Sequence, residues 1–116
     1  MSNDLKDIIV NALEDVKGKD IVTLDVSDLT DVMDTIIVAT GTSTRQVKGL
    51  ANNVMDDGKK AGFRPIGIEG MDTGEWVLVD YGDIVLHVMQ PDTRAFYELE
   101  KLWSVRPNDR KTADEE

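Results

Sequence analysis

The sequence predicts a single α/β domain in which one mixed five-stranded sheet carries three helices. Three observations point there. Apolar residues recur with helical period in three stretches and with strand period in five. These stretches follow one another in the order αββαβββα, and glycine or aspartate marks most of their boundaries. The chain has 116 residues, enough for one ordinary domain and too few for two. Apolar residues make up 41% of it and aromatics only 5%, so small aliphatic side chains must build the core.

The first helix is carried by the stripe Leu5, Ile8, Ile9, Ala12, Leu13 and Val16, with Gly18 as its stop. From Asp20 the period changes to two. Val22, Leu24 and Val26 fall on one side and Ile21, Thr23 and Asp25 on the other, the pattern of a half-buried strand. The second strand, 35–40, is apolar on both sides. Between them Asp25, Asp28, Asp31 and Asp34 recur every third residue. A calcium loop needs oxygens at alternate positions, then a glycine and a distal glutamate, so this stretch reads as a solvated charge run.

Gly41-Thr42-Ser43 opens the second helix, where Ser43 and Gln46 fit a capping box and Val47, Leu50, Ala51, Val54 and Met55 form the apolar stripe. Gly58 should weaken its end and Gly62 stop it. A third strand is expected over 64–69. A strand, a helix and a strand in succession ordinarily make a parallel crossover, so strands two and three should run parallel. After a loop over 70–74, residues 75–80 and 83–89 read as a hairpin turning at Tyr81-Gly82. The last helix starts near Asp92 as N-cap and carries Phe96, Leu99, Leu102 and Trp103 on one face. Residues 104–116 have almost no apolar content, which predicts a domain over 1–103 and a disordered polar tail.

Charge narrows the function. Lys and Arg number 13 against 23 Asp and Glu, a net −10, whereas a protein that grips phosphate backbones needs a basic footprint. Autonomous nucleic-acid binding is therefore not expected. With no cysteine there is no disulfide framework and no thiolate site, and a single histidine rules out a multi-His zinc site. No apolar run exceeds four residues, and the N-terminus carries Asp4, Lys6 and Asp7, so neither a membrane span nor a signal peptide is expected. The composition fits a cytoplasmic protein without cofactor or metal.

The hairpin is where side chains with chemistry gather. A Tyr81-Gly82 turn sets Asp80 opposite Asp83 and Trp76 opposite His87. It places Val77, Val79, Ile84, Leu86 and Val88 on one face, and Trp76, Leu78, Val85, His87 and Met89 on the other. The aliphatic face belongs under the helices. The second face, with its indole and imidazole, suits either a partner or a covering helix, and both readings stay open. Asp80, Asp83 and His87 are the candidates for catalysis. Aspartates beside a tight turn are ordinary turn chemistry, and Asp80 and His87 stand several positions apart along the ladder. The helix start at Gly41-Thr42-Ser43 is either an anion site or a plain cap, and no P-loop or Gly-x-Gly-x-x-Gly motif is present. The one locally basic stretch, Arg45 to Arg64, fits the solvated face of a helix better than a phosphate contact.

Taken together, several segments resemble the ribosomal silencing factor family, also called Iojap or RsfS. They are Gly41 to Val47, Glu69-Gly70, the run Trp76 to Met89, and Phe96 to Trp103. The resemblance runs from the first helix to Trp103, with mild departures at Thr35-Ile36 and Met89. It implies a factor that binds the large ribosomal subunit through ribosomal protein fourteen (uL14), covers part of the intersubunit surface and blocks subunit joining, repressing translation when nutrients are scarce. It also implies a homodimer when free and a core similar to nucleotidyltransferases. By the same resemblance the contact surface centres on Trp76, Leu78, Asp80 and Tyr81, with Met71 and Glu75 beside it and Val85 and His87 as support. The alternative is a nucleotidyltransferase-like enzyme using Asp80 and Asp83. Such enzymes hold two divalent ions on paired carboxylates, commonly Asp-x-Asp, and that motif does not occur here.

Overall fold

The computed structural model describes residues 2–29, 31 and 33–97. The elements are α1 (Ser2–Asp15), β1 (Lys19–Asp25), β2 (Thr35–Thr40), α2 (Thr44–Lys60), β3 (Gly67–Glu69), β4 (Trp76–Asp80), β5 (Ile84–Met89) and α3 (Pro91–Tyr97), in the expected order. The expected helical positions Leu99, Leu102 and Trp103 and the 104–116 tail lie outside the described residues.

Helix α1 buries Leu5, Ile9, Ala12 and Leu13 of the predicted stripe, with Ile8 and Val16 half-buried. It ends just before Gly18, as expected, and Lys17 takes the left-handed conformation there, with φ of 63°. Gly18 N–H donates to the Leu13 carbonyl at 2.8 Å and Lys17 N–H to that of Glu14 at 3.0 Å, the paired bonds that close a Schellman end. Gly18 is needed for closeness instead: a Cβ there would lie 3.1 Å from Leu50 Cδ2, so its absence lets the turn settle on α2.

Ser43 caps α2 by accepting the Gln46 N–H at 3.0 Å. The other half of the predicted box is redirected. Gln46 Oε1 accepts from the Thr42 N–H at 2.7 Å and the Thr42 hydroxyl at 2.8 Å, while its Nε2 donates to the Lys17 carbonyl at 3.1 Å. One side chain thus closes the start of α2 and satisfies a carbonyl left over just beyond α1. Asn53 Nδ2 adds a bond to the Ala12 carbonyl at 2.8 Å. The helix runs through Gly58 to Lys60 and stops where expected, with Gly62 just beyond it at a φ of 94°.

The sheet order is β1-β2-β5-β4-β3, with β2 and β5 parallel and every other pair antiparallel. Strands β2 and β3 do run in the same direction, yet as separated strands with β5 and β4 between them. Burial explains the order. Strand β5 is buried at every position and β2 at all but its first, so these two take the centre, whereas β3 has two exposed positions of three and takes an edge. Helix α3 begins at Pro91, one residue before the expected cap. Proline loses nothing in a first turn, and the Gln90 carbonyl there accepts the Arg94 N–H at 3.0 Å. Buried Arg94 fixes α3 to the sheet by donating from Nη1 to the Asp20 carbonyl and to Thr40 Oγ1, both at 2.7 Å.

The two sheet faces differ. Helices α1 and α2 cover Ile37, Ala39, Val77, Val79, Ile84, Leu86 and Val88, the aliphatic face, as expected. On the opposite face Val26, Ile36, Val38 and Met89 form a smaller core, against which Leu24, Leu29, Met33 and Trp76 pack. The connection between β1 and β2 therefore folds back over part of the second face.

Candidate functional site

The site grows out of the β4–β5 hairpin. Its register pairs Trp76 with Met89, Leu78 with His87 and Asp80 with Val85, two residues away from the expected pairing. The turn is centred on Gly82 and Asp83, closed by Tyr81 N–H donating to the Ile84 carbonyl at 2.9 Å. Two features select it. Gly82 takes a φ of 94°, which a first central residue can need and a side chain resists, and Asp80 Oδ1 accepts the Gly82 N–H at 2.7 Å. Because side chains alternate with period two, a slip of two leaves each one on its assigned face. Asp80 therefore stands opposite Val85 and not Asp83, and one of its oxygens serves the turn. The hairpin does not form the Asp80/Asp83 pair that nucleotidyl transfer would use.

Trp76 and His87 are diagonal neighbours across the ladder. The indole Nε1–H donates to His87 Nδ1 at 3.0 Å, with ring centroids 5.9 Å apart and planes tilted by 44°. An accepting Nδ1 must be unprotonated. Burial lowers the His87 pKa to about 4, so at neutral pH the ring is uncharged with its proton on Nε2. The imidazole is thus a fixed acceptor that orients the tryptophan. Trp76, Leu78 and Asp80 form a half-buried row on β4, Val85 and His87 lie buried on β5 beside it, and Glu75 is exposed at its end.

The other two predicted contact residues lie elsewhere. Strand alternation turns Tyr81 to the helix side, where it packs on the main core together with Met71. The Tyr81 hydroxyl lies 3.2 Å from the point where a Cβ on Gly58 would sit, buried and with no hydrogen-bond partner among the described residues. Desolvation raises its pKa. The hydroxyl is a packing atom and not a surface donor. Gly58, expected only to weaken α2, is what makes room for it.

The loop before β4 is held from both ends. Gly70 has a φ of 88°, and a Cβ there would collide with the Trp76 carbonyl oxygen. Gln90 Nε2 donates to the Gly74 carbonyl and to Thr44 Oγ1, each at 3.0 Å. Gln90 and Arg94 are positioning residues that the sequence did not reveal, and Gln46, expected only as part of a capping box, reaches on to the Lys17 carbonyl. They are polar side chains bound to atoms remote in sequence, and no spacing rule announces such bonds.

The remaining candidates resolve into structure. At Gly41-Thr42-Ser43 the Gly41 N–H donates to the Met89 carbonyl and the Thr42 N–H to Gln46 Oε1, so two donors that an anion site there would need are used internally. Asp25 accepts from the Ser27 N–H and hydroxyl, which lowers its pKa and makes the start of the acidic run a local turn. Among the described residues no three of His, Asp and Glu converge on a possible metal position. None of the described helices is long and apolar enough to cross a membrane. Arg45, Lys59, Lys60 and Arg64 are all exposed, on or just beyond α2.

Comparison with known proteins agrees with this architecture. The family model described as ribosomal silencing factor during starvation matches residues 1–116. A ribosomal silencing factor RsfS from Chromobacterium violaceum is 53% identical over 100 residues, covering 86% of this chain and 82% of that protein. One from Haemophilus influenzae is 44% identical, covering 86% of this chain and 98% of that protein. A crystal structure of a Chromobacterium violaceum protein superposes with a TM-score of 0.86 at 52% identity, covering 88% of this chain and 85% of that one. On the strength of the full-length family match and these relatives, the chain belongs to the ribosomal silencing factor family.

Proposed function

We propose that this protein silences translation by binding the large ribosomal subunit at ribosomal protein uL14 and sterically blocking the small subunit from joining when nutrients are limiting. It acts in the cytoplasm, without cofactor and without turnover. The observation that carries the reading is the β4 row: a half-buried Trp76 and Leu78, ended by Asp80 and Glu75, with the indole fixed by His87. An aromatic and an aliphatic anchor inside a polar border have the anatomy of a binding hot spot. A net charge of −10 favours encounter with a basic ribosomal protein and repels naked RNA.

Within this reading Trp76, Leu78, Asp80 and Glu75 touch the ribosomal protein. Tyr81 and Met71 act from the helix side by seating the turn and the 70–75 loop, and Val85 and His87 support the row. The binding unit is the domain over 1–103, and the free protein is a homodimer. Co-sedimentation with isolated large subunits tests the contact. The wild type should pellet with them, and Trp76→Ala, verified as folded by circular dichroism, should not. Full binding by the folded variant would remove the β4 row from the mechanism.

A further inference from the structure

Gln90 follows β5 and grips the chain where it enters β4. Its backbone N–H donates to the Glu75 carbonyl at 3.0 Å, which adds one step to the β4–β5 ladder beyond the Trp76–Met89 pair. Its side-chain Nε2 donates to the Gly74 carbonyl at 3.0 Å, so one residue holds two consecutive carbonyls immediately before Trp76. The same Nε2 donates at 3.0 Å to Thr44 Oγ1, in the first turn of α2. Loop and helix meet closely there: a Cβ on Gly74 would lie 2.5 Å from Thr44 Cγ2 and 3.1 Å from Lys48 Cε. Inside the loop, Gly74 N–H donates to the Gly70 carbonyl at 3.0 Å and Glu75 N–H to Thr73 Oγ1 at 3.4 Å. Those two bonds close the loop on itself and do not fix it to the rest of the fold. The Gln90 bonds do.

We infer that Gln90 is a positioning residue for the ribosome contact, holding residues 74 and 75 against α2 so that Glu75 and Trp76 stand in their binding arrangement before the partner arrives. The inference rests on the function proposed above and gives that site a residue that does not touch the partner. Alternation along β5 puts Met89 on the Trp76 face and Gln90 on the helix side. Gln90 therefore acts through the backbone it holds. The chemistry requires an amide. Its two N–H groups serve a carbonyl and a hydroxyl together, whereas an ionised glutamate would bring only acceptors to the Gly74 carbonyl. A loop released from this hold occupies its binding arrangement for a fraction of the time, and apparent affinity falls by that fraction. Ordering the loop on folding removes that cost from binding.

Association and dissociation rates on immobilised large subunits, measured with the full chain, separate positioning from contact. Gln90→Leu, verified as folded by circular dichroism, should slow association roughly fivefold to thirtyfold, the loss of one or two hydrogen bonds, and leave dissociation within about twofold. Gln90→Glu should do the same at neutral pH. Trp76→Ala removes a contact and should speed dissociation. Thr44→Val keeps the methyl against Gly74 and loses the acceptor, so it should slow association, while Thr44→Ser keeps the hydroxyl and should bind as the wild type does. Hydrogen exchange of the Gly74 amide reads the hold without the ribosome, and Gln90→Leu should accelerate it while β2 amides stay unchanged.

Unchanged Gly74 exchange in Gln90→Leu, or wild-type association by that variant, overturns the positioning role and leaves the Trp76 contact standing. A change confined to dissociation makes Gln90 a contact residue and also overturns it. Failure of the wild type to bind large subunits overturns the proposed function and this role with it, even where Gly74 exchange responds.

Discussion

At the scale of single residues, His87 explains most about the site. Its folded pKa, about 4, lies below the ordinary 6.5, so the unfolded chain takes up the proton first as pH falls. The stability this group contributes is complete above about pH 6.5 and is lost progressively down to about pH 4, a change of order 3 kcal/mol. Protonation also removes the acceptor for Trp76 Nε1–H. Urea unfolding from pH 7 to 4 should show this loss, and His87→Phe should flatten it in that window. Tyr81 behaves in the opposite sense to its appearance in the sequence. Its hydroxyl is buried without a described partner, so Tyr81→Phe should leave stability unchanged or raise it by up to about 1 kcal/mol in thermal unfolding. A loss of 2 kcal/mol or more would mean that the hydroxyl has a partner after all. The sequence could not show this inward turn, because it depends on a hairpin register that only the Gly82 conformation and the Asp80 bond decide.

At the scale of elements, the helices were the most legible part of the sequence. The stripes of α1 and α2 fall on the residues that are buried, since a 3.6-residue period survives any error at the ends. The stops at Gly18 and Gly62 were legible too, but what each end residue does was not: Lys17 takes the left-handed conformation while Gly18 lets the turn settle on Leu50, and Gln46 leaves its box to reach the end of α1. Strand faces were legible and strand order was not: alternation is local, whereas the insertion of β5 beside β2 depends on the burial of whole strands. Two substitutions test the elements. Ser43→Ala should cost roughly 1 kcal/mol by removing the cap of α2, measured by denaturant unfolding. Gly70→Ala must accommodate a left-handed φ and a clash with the Trp76 carbonyl. It should cost about 1–3 kcal/mol and weaken large-subunit binding even where the variant is folded.

At the scale of the whole molecule, a net charge of −10 has to be reconciled with action on a ribosomal subunit. The two fit if the contact is a basic protein met by an acid-rimmed apolar row. The salt response distinguishes the possibilities. Binding through phosphates falls steeply and linearly with log salt, whereas a contact centred on Trp76 and Leu78 falls little. A shallow slope is expected, and Arg45→Ala or Lys59→Ala should leave it unchanged. Trp76→Ala should weaken binding at least about thirtyfold, the loss of a central hot-spot residue.

The central claim is steric blockade of subunit joining, and the direct measurement is a sucrose-gradient profile of purified large and small subunits mixed under joining conditions. Added protein should move material from joined ribosomes to free subunits and itself sediment with the large subunit, while folded Trp76→Ala should do neither. An unchanged fraction of joined ribosomes at saturating protein would contradict the account.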